Sequence, residues 1–153
     1  MRQVRRAQVT PVLDTNAYAS GDQMSTLQNI DVCSNGGRSG GEITLITVMD
    51  KVTQSVALDL FFFDRSVTLA ADNAAVSISD ADMVFCLGVV NVLVSDYDAT
   101  AVNSIATVSV NLPVMAADAG KRIFMAIVSR GAPTYAASSL VISVNAVLEE
   151  AGV

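Results

Sequence analysis

The chain is 153 residues long, 52% apolar but only 5% aromatic and 16% charged, with a formal net charge of −6. That length suits one domain, or a domain with an arm, and a chain so rich in apolar residues is not disordered. It has no histidine, no tryptophan and two cysteines, which excludes a Ser-His-Asp triad, a Cys-His pair, a histidine-ligated metal and a self-contained zinc site.

The expectation is therefore a domain that is not an enzyme and holds no cofactor or metal. Charge content is well below the roughly 25% of an ordinary domain, so apolar surface is expected to meet a partner. The charge is also unevenly placed. Arg2, Arg5 and Arg6 make the first six residues strongly basic, whereas Ser66 to Gly120 holds six aspartates and no Lys or Arg. A body this acidic repels phosphate, so no nucleic-acid partner is expected. The three arginines read either as a solvated arm or as an arm that docks on an acidic neighbouring surface.

Gln3 to Val12 alternates loosely and contains Pro11, as in an extended arm or an edge strand. The basic start runs into Gln8, Thr10 and Asp14 rather than an apolar stretch, so no signal peptide is read there. Leu13 to Gln28 is polar and small and reads as a long ordered loop. Gly36-Gly37 and Gly40-Gly41 mark a flexible turn. Residues 1–41 are thus expected as an extended arm and loop packed on a body of residues 42–153. Cys33 falls in the polar loop and Cys86 in an apolar run, and a disulfide between them is not favoured.

The body opens with Glu42 to Met49, rich in Ile, Thr and Val, followed by a connection at Asp50 to Ser55 that reads as a hairpin. Val56 to Asp64 is a second strand with Leu58, Leu60 and Phe62 on one face and Asp59, Phe61 and Phe63 on the other. Bulky rings on both faces require a strand that is central or covered on its outer side. Val67 to Ala71 reads as a short strand or bend. Ile78 to Met83 looks like one helical turn capped by Ser79 or Asp80. Leu87 to Val94 reads as a strand with a bulge at Gly88, and Ser95 to Asn103 as a loop.

Ile105 to Leu112 alternates clearly, with Ala106, Val108, Val110 and Leu112 inward and Thr107, Ser109 and Asn111 outward, and Pro113 is expected to end it. Ile123 to Val128 is apolar on both faces and hence central. Leu140 to Leu148 alternates again. The longest apolar stretch, Val84 to Val94, is too short to span a bilayer, so no membrane partner is expected. The fold class is all-β: an antiparallel β-sandwich of jelly-roll or Greek-key type, with one short helix and an extended N-terminal arm.

Three pairs, Asp72 with Asn73, Asp80 with Asp82, and Asp96 with Asp98, read as turn and cap chemistry; calcium, which takes such oxygen ligands, is the other reading, without EF-hand spacing. The run from Gly36 to Gly41 lacks the Gly-Lys-Ser/Thr ending of a phosphate cradle. Arg130 is expected to pair with an aspartate. Tyr18, Tyr97 and Tyr135 fall in loops, where tyrosine serves as an interface contact or as a partly buried anchor.

Four stretches together carry a resemblance: Thr10 to Asp22, Leu58 to Asp64, Asp72 to Asp82, and Val128 to Tyr135. In order and spacing the chain resembles the small β-sandwich decoration, or cement, proteins of tailed-bacteriophage virions. The resemblance implies a viral structural protein, made in the bacterial host cytoplasm, that sits on the capsid exterior, often as a homotrimer, and binds the major capsid protein so as to stabilise contacts between shell subunits. On that reading Arg2, Arg5, Arg6, Tyr18, Phe61, Phe63, Tyr97 and Tyr135 are the expected capsid or subunit contacts, and removing residues 1–9 weakens attachment without unfolding the body. The alternative is a carbohydrate- or receptor-binding sandwich of a head fibre or tail, with the loop tyrosines as its stacking platform.

Overall fold

A computed structural model describes residues 2–33 and 39–149. The turn expected at Gly36-Gly37 lies outside the described residues. The strands are β1 (Gln3–Val9), β2 (Gln23–Ile30), β3 (Gly40–Asp50), β4 (Leu58–Phe63), β5 (Cys86–Val92), β6 (Tyr97–Ala99), β7 (Ser104–Met115), β8 (Ile123–Ser129) and β9 (Leu140–Leu148), with one short helix, α1 (Asp80–Met83). They form a five-stranded sheet in the order β1-β9-β3-β7-β6 and a four-stranded sheet in the order β2-β8-β4-β5.

Every pairing is antiparallel. Setting aside the short β6, strands pair from the two ends of the chain inward: β1 with β9, β2 with β8, β3 with β7, and β4 with β5. That is one long two-stranded ribbon, folded at β4/β5 and wound so that successive sections fall alternately in two sheets. The winding closes through β3 against β9 and β4 against β8. This strand order is the double-sheet jelly roll.

Period-two patterning produces the layers. On β9, Leu140, Ile142, Val144, Ala146 and Leu148 all reach the core, and Ile43, Ile46 and Val48 of β3 lie beside them in the same sheet. From the other sheet come Met24 and Ile30 of β2, Leu58, Leu60 and Phe62 of β4, and Ile123, Met125 and Ile127 of β8. All seven residues of β8 are buried, as a strand central in its sheet and covered on both faces requires. β4 has the same environment. Its other face, Phe61 and Phe63, enters a second apolar cluster with Val67, Phe124 and Ala126, roofed by Leu69, Ile78 and Phe85 of the β4–β5 connection. Ser79 caps α1, its Oγ accepting from the Asp82 N–H at 3.2 Å. The bulge in β5 lies where expected: Phe62 pairs with Gly88 but Phe63 with Cys86, and a Cβ at Gly88 would meet Leu112 Cδ1 at 2.7 Å.

Five expectations are corrected. Residues 1–41 are not an arm and loop laid on a body, because β1 and β2 are each an edge strand of one sheet. The segment read as loop up to Gln28 contains most of β2. Its alternation is hidden by a register shift between Met24 and Gln28, with Ser25 at φ 63°. Asp50 to Ser55 is not a hairpin, since it crosses from one sheet to the other. The buried Asp50 carboxylate shapes that crossing by accepting from the N–H groups of Val52 (2.9 Å) and Ser55 (2.8 Å). Finally, Pro113 does not end β7, which runs on to Met115. β6 covers only Ser104 to Ala106, so the outer edge of β7 is open at Pro113 and no ladder bond is lost there. Tyr97–Ala99, read within a loop, is that short β6.

Removing residues 1–9 therefore strips a strand whose register with β9 runs from Gln3–Leu148 to Val9–Ile142. The truncated chain is expected to lose on the order of a few kcal/mol, at about 1 kcal/mol net per ladder hydrogen bond. A lower thermal midpoint would show this. An unchanged midpoint would restore the detachable arm.

Candidate interaction surface

The residues expected to make contacts are scattered. Tyr18, Phe63 and Tyr135 are 1%, 0% and 2% exposed, so none of them is a contact on the surface of the single chain. Tyr18 tethers the loops: its hydroxyl donates to Asp72 Oδ1 (2.7 Å) and accepts from the Asp14 N–H (2.8 Å). Tyr18 and Tyr135 rings stand 6.5 Å apart at 59°. Tyr97 is partly buried and donates to the Val56 carbonyl at 2.9 Å. Burial pushes all three phenols well above their usual range; the Asp72 carboxylate adds to this at Tyr18, and Asp50 at Tyr97 and Tyr135. Their loops fold back over the ends of the sandwich, and residue type alone does not report that.

Phe61 is half-buried beneath the β4–β5 connection. That connection is held in place by charge as well as packing. Arg65 pairs with Asp64 (2.8 Å) and lays its guanidinium 3.8 Å over the Phe85 ring. Asp72 Oδ1 also accepts from the Ser25 N–H at 2.8 Å, and Asp82 Oδ2 from the Thr68 N–H at 3.1 Å. Asp96 accepts from the Leu93 N–H at 2.8 Å. One carboxylate of each acidic pair is thus used in turn or loop bonding, and no group of three potential metal-ligating acidic, cysteine or histidine side chains gathers among the described residues. Arg130 pairs with Asp59 at 2.6 Å, as expected of it. Cys33 and Cys86 are both free, and burial raises the Cys33 thiol.

The connection over β4 and β8 leaves the two sheets unequal. The outer face of the four-stranded sheet is roofed, whereas that of the five-stranded sheet is bare. Register identifies what this bare face presents. Thr47 of β3 lies between Ser143 of β9 and Thr107 of β7, and Met49 between Val141 and Ile105. Along β7, Thr107, Ser109 and Asn111 point outward and are exposed. Along β1, Arg6 and Gln8 both donate to Ser143 Oγ, at 3.0 and 3.1 Å, and so lie down on the face. The charged side chains in register with this face are Arg6, Glu42 and Asp98. The rest is Ser, Thr, Asn, Gln, Val, Met, Leu, Ile and Pro.

Of the basic residues, Arg2 makes a long, largely solvated contact with Glu149 at 3.9 Å, which contributes little. Arg6 lies outward on β1. Arg5 turns inward at the same edge, and its Nε is buried without a partner. The face was partly legible, since the alternation of β7 already set Thr107, Ser109 and Asn111 outward. Its assembly from strands far apart in sequence was not.

The fold and this surface define a single jelly-roll domain with one bare, charge-poor sheet face. No family model and no curated protein matches the chain. Among solved structures, the chain is similar to one in the X-ray structure of tomato aspermy virus. The identity is 13%, the match covers 99% of this chain and 79% of that chain, and the TM-score is 0.43. The jelly-roll assignment stands on the strand order itself.

Proposed function

We propose that this chain is a structural virion protein that binds the outer surface of a phage capsid and stabilises contacts between shell subunits. The observation that carries the reading is the bare outer face of the five-stranded sheet. Depletion of charge is what distinguishes the buried part of a protein interface from ordinary surface. A rigid sheet offers such a face at no ordering cost, because its side chains are already held by register and packing. A protein that binds only the assembled shell stabilises it by mass action, in proportion to occupancy and affinity. The resemblance to phage decoration proteins supplies the partner, the major capsid protein. The sugar-binding alternative loses support with its platform, since Tyr18 and Tyr135 are buried.

The test is to purify particles by density and measure this chain against the major shell protein by mass spectrometry. A simple stoichiometric ratio is expected; absence from particles overturns the proposal. Thr47→Lys puts a charge at the centre of the face while leaving the core untouched. It is expected to reduce occupancy at least tenfold, with an unchanged thermal midpoint. Full occupancy by that variant would move the docking surface elsewhere.

A further inference from the structure

The two edges of the five-stranded sheet are unlike. β1 carries Arg5 and Arg6 and follows Arg2, whereas no Lys or Arg occurs from Ser66 to Gly120, the stretch that contains β5, β6 and β7. The acidic side chains adjoining the β7 edge are Asp96 and Asp98, on either side of Tyr97. The edge itself is unfilled. The Ala116 N–H donates to the Ser39 carbonyl beside β3. By alternation, Val114, Leu112 and Val110 turn their N–H groups toward β3, and Asn111, Ser109 and Thr107 turn theirs away. Among the described residues, the only strand on that outer side is β6, which stops at Ala106. What remains open, from Thr107 to Met115, is long enough to take the seven-residue β1.

We propose that β1 of a second copy of this chain adds to the open edge of β7, joining copies head to tail through continuous five-stranded sheets. Strand addition satisfies the free N–H and C=O groups of both edges. Charge selects the pairing. Two β1 edges would set Arg5 and Arg6 against their own copies, whereas β1 against β7 sets them beside a cation-free edge flanked by carboxylates. Arginines on β1 and Pro113 on β7 are the devices by which edge strands avoid indiscriminate pairing. Here they leave one combination open, with Pro113 at its end and Thr107 to Asn111 free to bond. Apolar surface accompanies both edges, Val4 on β1 being 74% exposed and Met115 on β7 68%. Such a contact uses different patches on the two copies, so it closes into a ring or propagates as a filament. The inference is independent of shell docking, because it concerns the free protein in solution.

Analytical ultracentrifugation of the purified chain tests it. The expected mass is a multiple of 16.0 kDa. Ser109→Pro removes an N–H that faces the open edge and none that faces β3, and Thr107→Lys/Ser109→Lys repels the incoming arginines without touching the ladder. Each of these, and Arg6→Glu on the other edge, is expected to give monomers with unchanged circular dichroism. Mixing the Ser109→Pro variant with the β1-edge variant leaves one good edge of each kind, so the mixture is expected to form one-to-one dimers and stop there. A wild-type monomer at all concentrations overturns the proposal. So does a multimer that survives either edge variant, or a mixture that stays monomeric.

Discussion

Replacing Phe63 with Ala is expected to destabilise the chain by about 3–5 kcal/mol, the usual cost of deleting a fully buried ring. Phe63 is 0% exposed and packs with Val67, Phe124 and Ala126. Phe62→Ala, on the opposite face of the same strand and also 0% exposed, is expected to cost a similar amount. Equal sensitivity of neighbouring residues is the signature of a strand covered on both faces. In a strand with one solvated face, one of the pair would fall within about 0.5 kcal/mol of neutral. The Phe63 variant has a further consequence, because its ring is part of the surface on which the β4–β5 connection rests. Loosening that connection exposes Phe61, Phe85 and Phe124 together. Urea unfolding measures the effect as a shift in midpoint at constant slope. A loss below about 1 kcal/mol would return Phe63 to the exposed contact role that the sequence alone suggested.

What could be read from the sequence follows from how local each cause is. The alternation on β7 and β9, the two-sided apolarity of β8 and the rings on both faces of β4 are properties of a few adjacent residues, and they appear as read. The Ser79 cap and the Gly88 bulge are equally local. β2 escaped because its bulge shifts the register midway, so Met24 and Ile30 reach the same core without a continuous period of two. The Asp50–Ser55 crossing looked like a hairpin because turn chemistry does not say which sheet the next strand joins. Tyr18 and Tyr135 do lie in loops, and of the two roles open to them the buried anchor is the one found; loop composition could not choose between the two because it does not reveal that a loop folds back over the sandwich. The bare sheet face depends on β1, β9, β3 and β7 lying side by side, and only the paired register shows that.

At alkaline pH the chain is expected to unfold in one step that releases its tyrosine protons together. It has three tyrosines, and all three are held above the ordinary value of 10.0, first by burial and then by nearby carboxylates. Below pH 10 both folded and unfolded states keep these protons, and the stability is fully present. Above it the unfolded chain ionises while the folded chain does not, so stability falls as pH rises. The slope is about 1.4 kcal/mol per pH unit for each tyrosine, or roughly 4 for three acting together. At about 0.05 kcal/mol per residue, a domain of this length has roughly 8 kcal/mol to lose, which places the midpoint near pH 12. Phenolate absorbance and loss of the β-sheet circular dichroism signal are expected to coincide. Phenolate appearing near pH 10 while the dichroism persists would show a tyrosine open to solvent. Tyr135→Phe separates burial from hydrogen bonding. The Tyr135 hydroxyl is buried without a partner, so at neutral pH its removal breaks no bond and costs little. Above pH 10 the variant has one fewer proton to lose, so the slope falls by about a third and the midpoint moves upward. A Tyr135→Phe chain with an unchanged alkaline midpoint would show that this ring ionises without unfolding.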